Sequence, residues 1–269
     1  NQGGDVIDLC AIARHGGDKR LAIQELSEIT GVHYKFSANW IAYTQNLCNE
    51  IQKYHENLTP EVIEYLNKRN ISTETINRLK IGFNSEERIV IPYWKNGYIC
   101  YYITRAFHPN DEPKYKKLRK DGLNENIPWG LHTLKNSSDI LVICEGAFDA
   151  LSFEQEGYSV LATMGGHFSK EQLRTVISVC KQFPKVFLCF DNDEAGNSFT
   201  IALSETLFKN KITFVAGNLP KQYKDVSDYY TAGGSLPLLI DSAEDGLIAL
   251  CEKITDKQQF KEFAYSVSR

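Results

Sequence analysis

Six carboxylates in the second half of the chain stand just beyond apolar runs or helix starts, and their placement points to chemistry. Ile140-Leu-Val-Ile-Cys144 runs into Glu145-Gly146, with Asp149 one helical turn further on. Val186-Phe-Leu-Cys-Phe190 runs into Asp191-Asn192-Asp193, which sets two acids at alternate positions. Asp225 and Asp228 follow Leu219-Pro220. Short apolar runs bounded in this way read as buried strands. In an open α/β sheet, ligands bind beyond the carboxyl ends of the strands. Carboxylates gathered on one such edge repel, and a divalent cation relieves the repulsion. Magnesium takes oxygen ligands, keeps several waters and binds through few carboxylates together with substrate phosphates. The chemistry indicated is phosphoryl or nucleotidyl transfer with one or two magnesium ions, for which manganese can stand in.

Each acid also has a plainer reading. Carboxylates near helix N-termini are favoured by the dipole whatever the function, so Asp149 and Asp228 read equally well as caps. The pair Asp191-x-Asp193 after an apolar strand is harder to explain that way, and the fall of all six at successive strand ends carries the argument. A basic stretch, Lys114, Lys116, Lys117, Arg119 and Lys120, is broken by Tyr115; it is a nucleic-acid track or a solvated loop. The net charge of -4 excludes binding by a general basic field and leaves that local track to do it. Tyr98, Tyr101 and Tyr102 could stack on bases, although strand tyrosines more often pack against a core. The six histidines lack ligand spacing and receive no catalytic role, though His167 lies in a glycine loop.

The elements that must position these groups change character along the chain. Val6, Leu9 and Cys10, then Leu21, Ile23, Leu26 and Ile29, have helical spacing around Gly16-Gly17. A further helix is expected over 40–54, another starting at Thr59-Pro60 with a cap and a proline at its first position, and another ending near Lys80. Asn96-Gly97 between the apolar runs 88–94 and 98–104 signals a hairpin. The stretch 107–134 reads as irregular surface structure. Beyond Asp139, strands at 140–144, 160–163, 186–190 and 212–216 alternate with helices at 148–156, 170–181 and 195–208, the second opened by the capping box Ser169 to Gln172. Such alternation implies a mostly parallel sheet with helices on its faces. Residues 226–269 read as mainly helical, broken at Gly233-Gly234. The fold class is α/β, α+β overall.

At 269 residues and 42% hydrophobic content the chain can bury a sizeable core. It has no apolar run of the roughly 20 residues that span a bilayer and no signal-peptide character at its start, so a cytoplasmic protein is expected. Its seven cysteines are scattered without a Cys-x-x-Cys pair, so neither disulfides nor zinc is expected.

Glu145-Gly-Ala-Phe-Asp149, Met164-Gly165-Gly166, Asp191-Asn-Asp-Glu-Ala-Gly196 and Lys224-Asp225-Val-Ser-Asp228 together resemble the successive motifs of a TOPRIM domain. Upstream, Glu64 to Ser72, Leu79-Lys-Ile-Gly82-Phe83, Arg88-Ile-Val-Ile-Pro92, Thr104-Arg105-Ala106-Phe107, Pro113-Lys114-Tyr115 and Trp129-Gly130-Leu131 resemble, in order, the basic subdomain of DnaG-type DNA primases. Gly3 to Asp8 is similar to the stretch that follows that family's zinc ribbon. The resemblance covers about residues 3–232. It implies a Rossmann-like TOPRIM sheet at 136–218, preceded by a zinc-ribbon tail and helical linker at 1–58 and a mixed α/β basic subdomain at 59–135. The last acidic motif and a helical segment would fill 219–269.

The resemblance further implies that Glu145 is a catalytic acid or base and a metal-site residue, that Asp191, Asp193 and Asp225 are metal ligands, and that Asp149, in support, and Asp228 belong to the same metal site. The family's last motif has acids at alternate positions; here that position holds Ser227, and the acid is Asp228. Arg105 and Lys114 would hold template or incoming nucleotide, with Arg88, Tyr115, Lys116, Lys117, Gly165 and Gly166 beside them. The implied activity is synthesis of RNA primers on single-stranded DNA from ribonucleoside triphosphates, by a monomer that works with a replicative helicase. Its rivals are a TOPRIM nuclease using the same acids with water, and a catalytically silent primase-derived module that binds DNA or loads a helicase. A topoisomerase is disfavoured by the short chain and by the want of a nucleophilic tyrosine domain.

Overall fold

The computed structural model describes residues 6–15, 22, 23, 25, 26, 29, 38–95, 97–117, 127–135, 138–164 and 168–248. Helices come first. After α1 (Val6–Arg14), α2 (Ala38–Glu56) sets Leu47 and Ile51, one turn apart, against Val90, Ile99 and Tyr102. Helix α3 (Pro60–Lys68) opens as expected, with the Thr59 hydroxyl accepting from the Val62 amide and Pro60 at a position whose N–H would have no partner. Helix α4 (Thr73–Leu79) is capped by Ser72 and stopped at Lys80, whose φ of +56° is left-handed. Among the described residues no helix is long and apolar enough to cross a membrane.

A first sheet follows, antiparallel throughout, in the order β1 (Gly82–Phe83), β2 (Arg88–Lys95), β3 (Tyr98–Ala106), β4 (Tyr115–Lys117). Strands β2 and β3 form the hairpin expected around Asn96-Gly97; Gly97 has φ +76°, and Asn96 lies outside the described residues. The expectation of irregular surface structure over 107–134 needs correction. Strand β4 lies there as an edge strand, paired on one side, with Lys116 and Lys117 exposed, which is why its sequence reads as loop. Ile127 and Trp129 are buried in the main core.

The second sheet has the order β6-β5-β7-β8-β9. Its chain order is β5 (Ile140–Cys144), α5 (Ala147–Gln155), β6 (Ser159–Ala162), α6 (Lys170–Cys180), β7 (Lys185–Cys189), α7 (Glu194–Lys209) and β8 (Phe214–Ala216). Then come α8 (Val226–Thr231), α9 (Leu236–Asp241) and β9 (Glu244–Asp245). The first four strands are mutually parallel and β9 is antiparallel. Both faces are covered. Val142, Cys144, Phe187 and Cys189 join the core shared with α5, α8 and the first sheet. Leu141, Ile143, Val186 and Leu188 pack with α6 and α7. Continuous apolar runs are what two buried faces require. Because the chain leaves β5 toward β6 and β7 toward β8, the connections diverge between β5 and β7, which makes their carboxyl ends the switch point at which open α/β sheets bind ligands.

Trp129 joins the sheets. Its backbone exchanges hydrogen bonds with Ala162 on β6 (3.1 and 3.0 Å), and its indole N–H donates to the Pro92 carbonyl on β2 at 3.0 Å. Arg78 on α4 donates to Glu154 on α5 through its two terminal guanidinium nitrogens. Four of the cysteines, Cys100, Cys144, Cys180 and Cys189, are buried as free thiols.

Candidate functional site: an acidic sheet edge facing a cationic hairpin

Strand β5 delivers Glu145 to the switch point, and Gly146 then turns the chain into α5. A Cβ at position 146 would stand 2.4 Å from Asp149 Oδ2, so the turn needs glycine for proximity. Asp149 is buried, and both its oxygens accept amides: Oδ2 from Gly146 at 3.0 Å and Oδ1 from Ser227 at 2.8 Å. It fastens the start of α5 to the start of α8.

Strand β7 delivers Asp191, half-buried. Asn192 then holds the last acidic loop in place. Its N–H donates to the Lys224 carbonyl at 2.7 Å, and its side-chain amide reaches the carbonyls of Leu219 and Tyr223 at 3.2 and 3.1 Å. Asp225 is thereby held close enough to act on Asp191 electrostatically. Asp193 and Asp225 are also caps, accepting from Gly196 at the start of α7 (2.9 Å) and from Asp228 at the start of α8 (2.8 Å). The side chains of Asp193 and Asp228 are exposed.

The electrostatics follow from crowding. Burial first, and then the charges of Asp149, Glu145 and Asp225, push Asp191 up to about 7, with Lys224 opposing. Asp149 is likewise raised to about 7 by burial and by Asp225, although the amides of Ser227 and Gly146 favour its anion. Among the described residues no three of these acids bring oxygens within 4.8 Å of one another. An all-oxygen set with surplus negative charge and room between its members fits magnesium, which keeps waters and takes the rest of its shell from phosphates.

Opposite the acids stands the outer part of the first sheet. Arg105 on β3 is only 8% exposed, with its guanidinium carbon 4.1 Å from the Phe148 ring centroid and 5.7 Å from that of Tyr115. Its Nε is buried without a hydrogen-bond partner. Lys114 is held below the usual lysine range by burial and then by Arg105 and Lys224, with Asp225 and Asp191 pulling the other way. Burial pushes the Tyr115 phenol up to about 12, and the Ala147 amide bonds to it.

The structure therefore gathers Glu145, Asp149, Asp191 and Asp225 with Arg105, Lys114 and Tyr115. It places Arg88 beneath them, 2% exposed, donating to Thr104 Oγ1 (3.0 Å) and to the carbonyls of Pro113 and Lys114 (2.7 and 3.1 Å). Lys116 sits on the outer edge, paired with Glu86 at 2.8 Å, and Lys117 is exposed beside it. Gly165 and Gly166, like Arg119 and Lys120, lie outside the described residues. Of the tyrosines weighed for base stacking, Tyr102 is buried, Tyr101 packs edge-on against Tyr93 at 5.1 Å, and Tyr98 is exposed. Three contributors escaped the sequence reading: Asn192, Phe148 and Lys224. The middle position of Asp-x-Asp and the residue beside Asp225 were the available signals.

Residues 142–230 match the family described as Toprim-like. A DNA primase from Thermotoga maritima is 29% identical over 187 residues, covering 64% of this chain and 32% of that protein. The chain thus spans about a third of the length of that relative. Among solved structures, the zinc-binding and RNA polymerase domains of the Aquifex aeolicus primase superpose with a TM-score of 0.67 at 19% identity, covering 98% of this chain and 81% of that one. A DnaG primase catalytic domain bound to single-stranded DNA gives 0.64 at 18% identity, covering 79% and 82%.

Proposed function

We propose that this chain, a homologue of the bacterial DNA primases bearing a Toprim-like domain on the fold of their catalytic cores, is a nucleotidyl-transfer core that makes RNA primers on single-stranded DNA. The observation that carries the reading is the opposition of Asp191 and Asp225 to Arg105 and Lys114, since Asp225 and Lys224 act on both Asp191 and Lys114. Asp191, Asp193 and Asp225 with Glu145 would hold magnesium or manganese, which when bound would neutralise charge on the phosphates. The chain's own residues do the remainder. Arg105 and Lys114 bind and orient the anionic triphosphate or template backbone, Arg105 on a guanidinium face fixed by Phe148. Glu145 takes the proton from the attacking 3′-hydroxyl. The bond from that oxygen to the α-phosphorus forms as the bond to the β-phosphate oxygen breaks, and pyrophosphate leaves.

Asp149 acts through position, because its two oxygens are engaged by amides. Arg88 likewise acts by fixing the backbone of Lys114. The substrates in this reading are ribonucleoside triphosphates and a single-stranded DNA template, and the setting is a cytoplasmic monomer working with a replicative helicase. A DnaG catalytic domain of the same fold bound to single-stranded DNA supports the template assignment.

The test is incorporation of labelled ribonucleotides on single-stranded DNA with magnesium or manganese. Wild type should make oligoribonucleotides, and Glu145→Gln should slow turnover on the order of a hundredfold while nucleotide affinity stays within a few fold. Folded wild type that cleaves the template without incorporating ribonucleotides would assign the site to a nuclease.

A further inference from the structure

A second group of ligand-type side chains lies far along the sequence from the acidic edge. Cys10 and His15 come from α1 and its last turn, which the His15 amide prolongs by donating to the Ala11 carbonyl at 3.0 Å. Both are directed at one oxygen of Glu25. His15 Nε2 stands 2.6 Å from Glu25 Oε2 and Cys10 Sγ 3.7 Å from the same atom. The three ligand atoms all lie within 4.8 Å of one another. The other oxygen, Oε1, is engaged by Arg14. Arg14 thus fixes the carboxylate from behind, as outer hydrogen bonds orient ligands in metal sites.

We propose that Cys10, His15 and Glu25 form a binding site for a zinc-class divalent cation, one that clasps α1 to the segment carrying Glu25. A thiolate, an imidazole and a carboxylate form a set that zinc accepts and magnesium does not. With zinc-ligand bonds of about 2.0 to 2.3 Å at tetrahedral angles, ligand atoms stand roughly 3.3 to 3.6 Å apart. The Cys10 to Glu25 separation of 3.7 Å is already close to this, and His15 and Glu25 at 2.6 Å need to part by under an ångström. All three side chains are partly exposed, so water can complete the shell. Zinc takes Cys10 as its thiolate, so binding releases the thiol proton to solvent. No Cys-x-x-Cys pair announces the site, because its ligands come from a helix end and a later segment. The competing arrangement is an ion-pair clasp in which Arg14 and protonated His15 share Glu25, and it needs no metal.

The 269-residue chain, stripped of metal with a chelator, would be titrated with cobalt(II) as the probe. The expected result is a thiolate-to-cobalt charge-transfer band and tetrahedral visible bands, saturating at one equivalent and bleached by zinc. Cys10→Ser should abolish the charge-transfer band. His15→Gln and Glu25→Gln should each weaken cobalt binding at least tenfold, and Asp191→Asn should leave the band unchanged. Zinc should raise the melting temperature of wild type but not of Cys10→Ser. A folded wild type with no thiolate band overturns the site, as does a band that survives Cys10→Ser or disappears in Asp191→Asn. Should Cys10→Ser fail to fold, unweakened binding by both His15→Gln and Glu25→Gln overturns it equally.

Discussion

Asp191 should report its own surroundings through pH. Its folded carboxyl is raised to about 7 from an ordinary 3.8, so between those values the folded protein holds a proton that the unfolded chain has released. The stability this contributes is complete below the unfolded value and is lost as pH rises through about 7. Asp149 adds a contribution of the same sign. The cation-free protein should therefore melt at lower temperature as the buffer is moved from about pH 5 to about pH 8, and Asp191→Asn should flatten part of that slope. Manganese should flatten it for wild type; calorimetric melting across the series checks both, and a pH-independent wild type speaks against the crowding of the acids. Lys114 offers a second test. Binding to single-stranded DNA should weaken with salt at a log-log slope of about -0.7 per phosphate contacted. Lys114→Ala should lower that slope by somewhat under one unit, whereas Lys185→Ala, at the opposite end of β7, should not change it. Fluorescence anisotropy over a salt series separates them. The placement of the acids just beyond the ends of β5 and β7 was legible in the sequence. Asn192 and Phe148 were not, because a carbonyl-gathering amide and a ring under a guanidinium look like any other polar or core residue until distant segments meet.

Helix starts set the geometry of the edge. Gly196 in α7 brings the helix against the backbone of Asp191, where a Cβ would stand 2.2 Å from the Asp191 carbonyl oxygen. Gly196→Ala should therefore displace Asp191, weakening manganese binding by tenfold or more in a calorimetric titration while the far end of the helix is undisturbed. Asp149→Ala unfastens α5 from α8 and leaves the buried Ser227 amide and the half-buried Gly146 amide without acceptors, costing about 1 to 3 kcal/mol for the buried one. Urea unfolding should show that loss, and manganese affinity should fall because the starts of α5 and α8 no longer hold their positions. The helices and the long strands were legible from capping residues and apolar period, as at Ser169, whose box with Gln172 closes as expected. Strands β1, β4 and β9 were not: two or three residues carry no period, and β4 and β9 lie at sheet edges where polar side chains are tolerated.

At the scale of the molecule the two sheets share one core, so the cationic hairpin cannot be positioned without the acidic sheet behind it. Arg78 and Glu154 cross that joint, with Glu154 buried to 6% exposure of its side chain and Arg78 partly open to water. Arg78→Ala should destabilise by about 2 kcal/mol, chiefly because a buried carboxylate loses its partner. Arg78→Ala combined with Glu154→Gln should recover part of the loss, and denaturant unfolding of the set measures the coupling. Trp129 gives the joint an optical readout. Its indole is 1% exposed and hydrogen-bonded to the opposite sheet, while its backbone is paired to β6. With Trp40 and Trp94 replaced by phenylalanine, emission from Trp129 alone would shift to the red on any opening that lets water reach it. The separation of the sheets could then be followed in real time as template, nucleotide or cation is added.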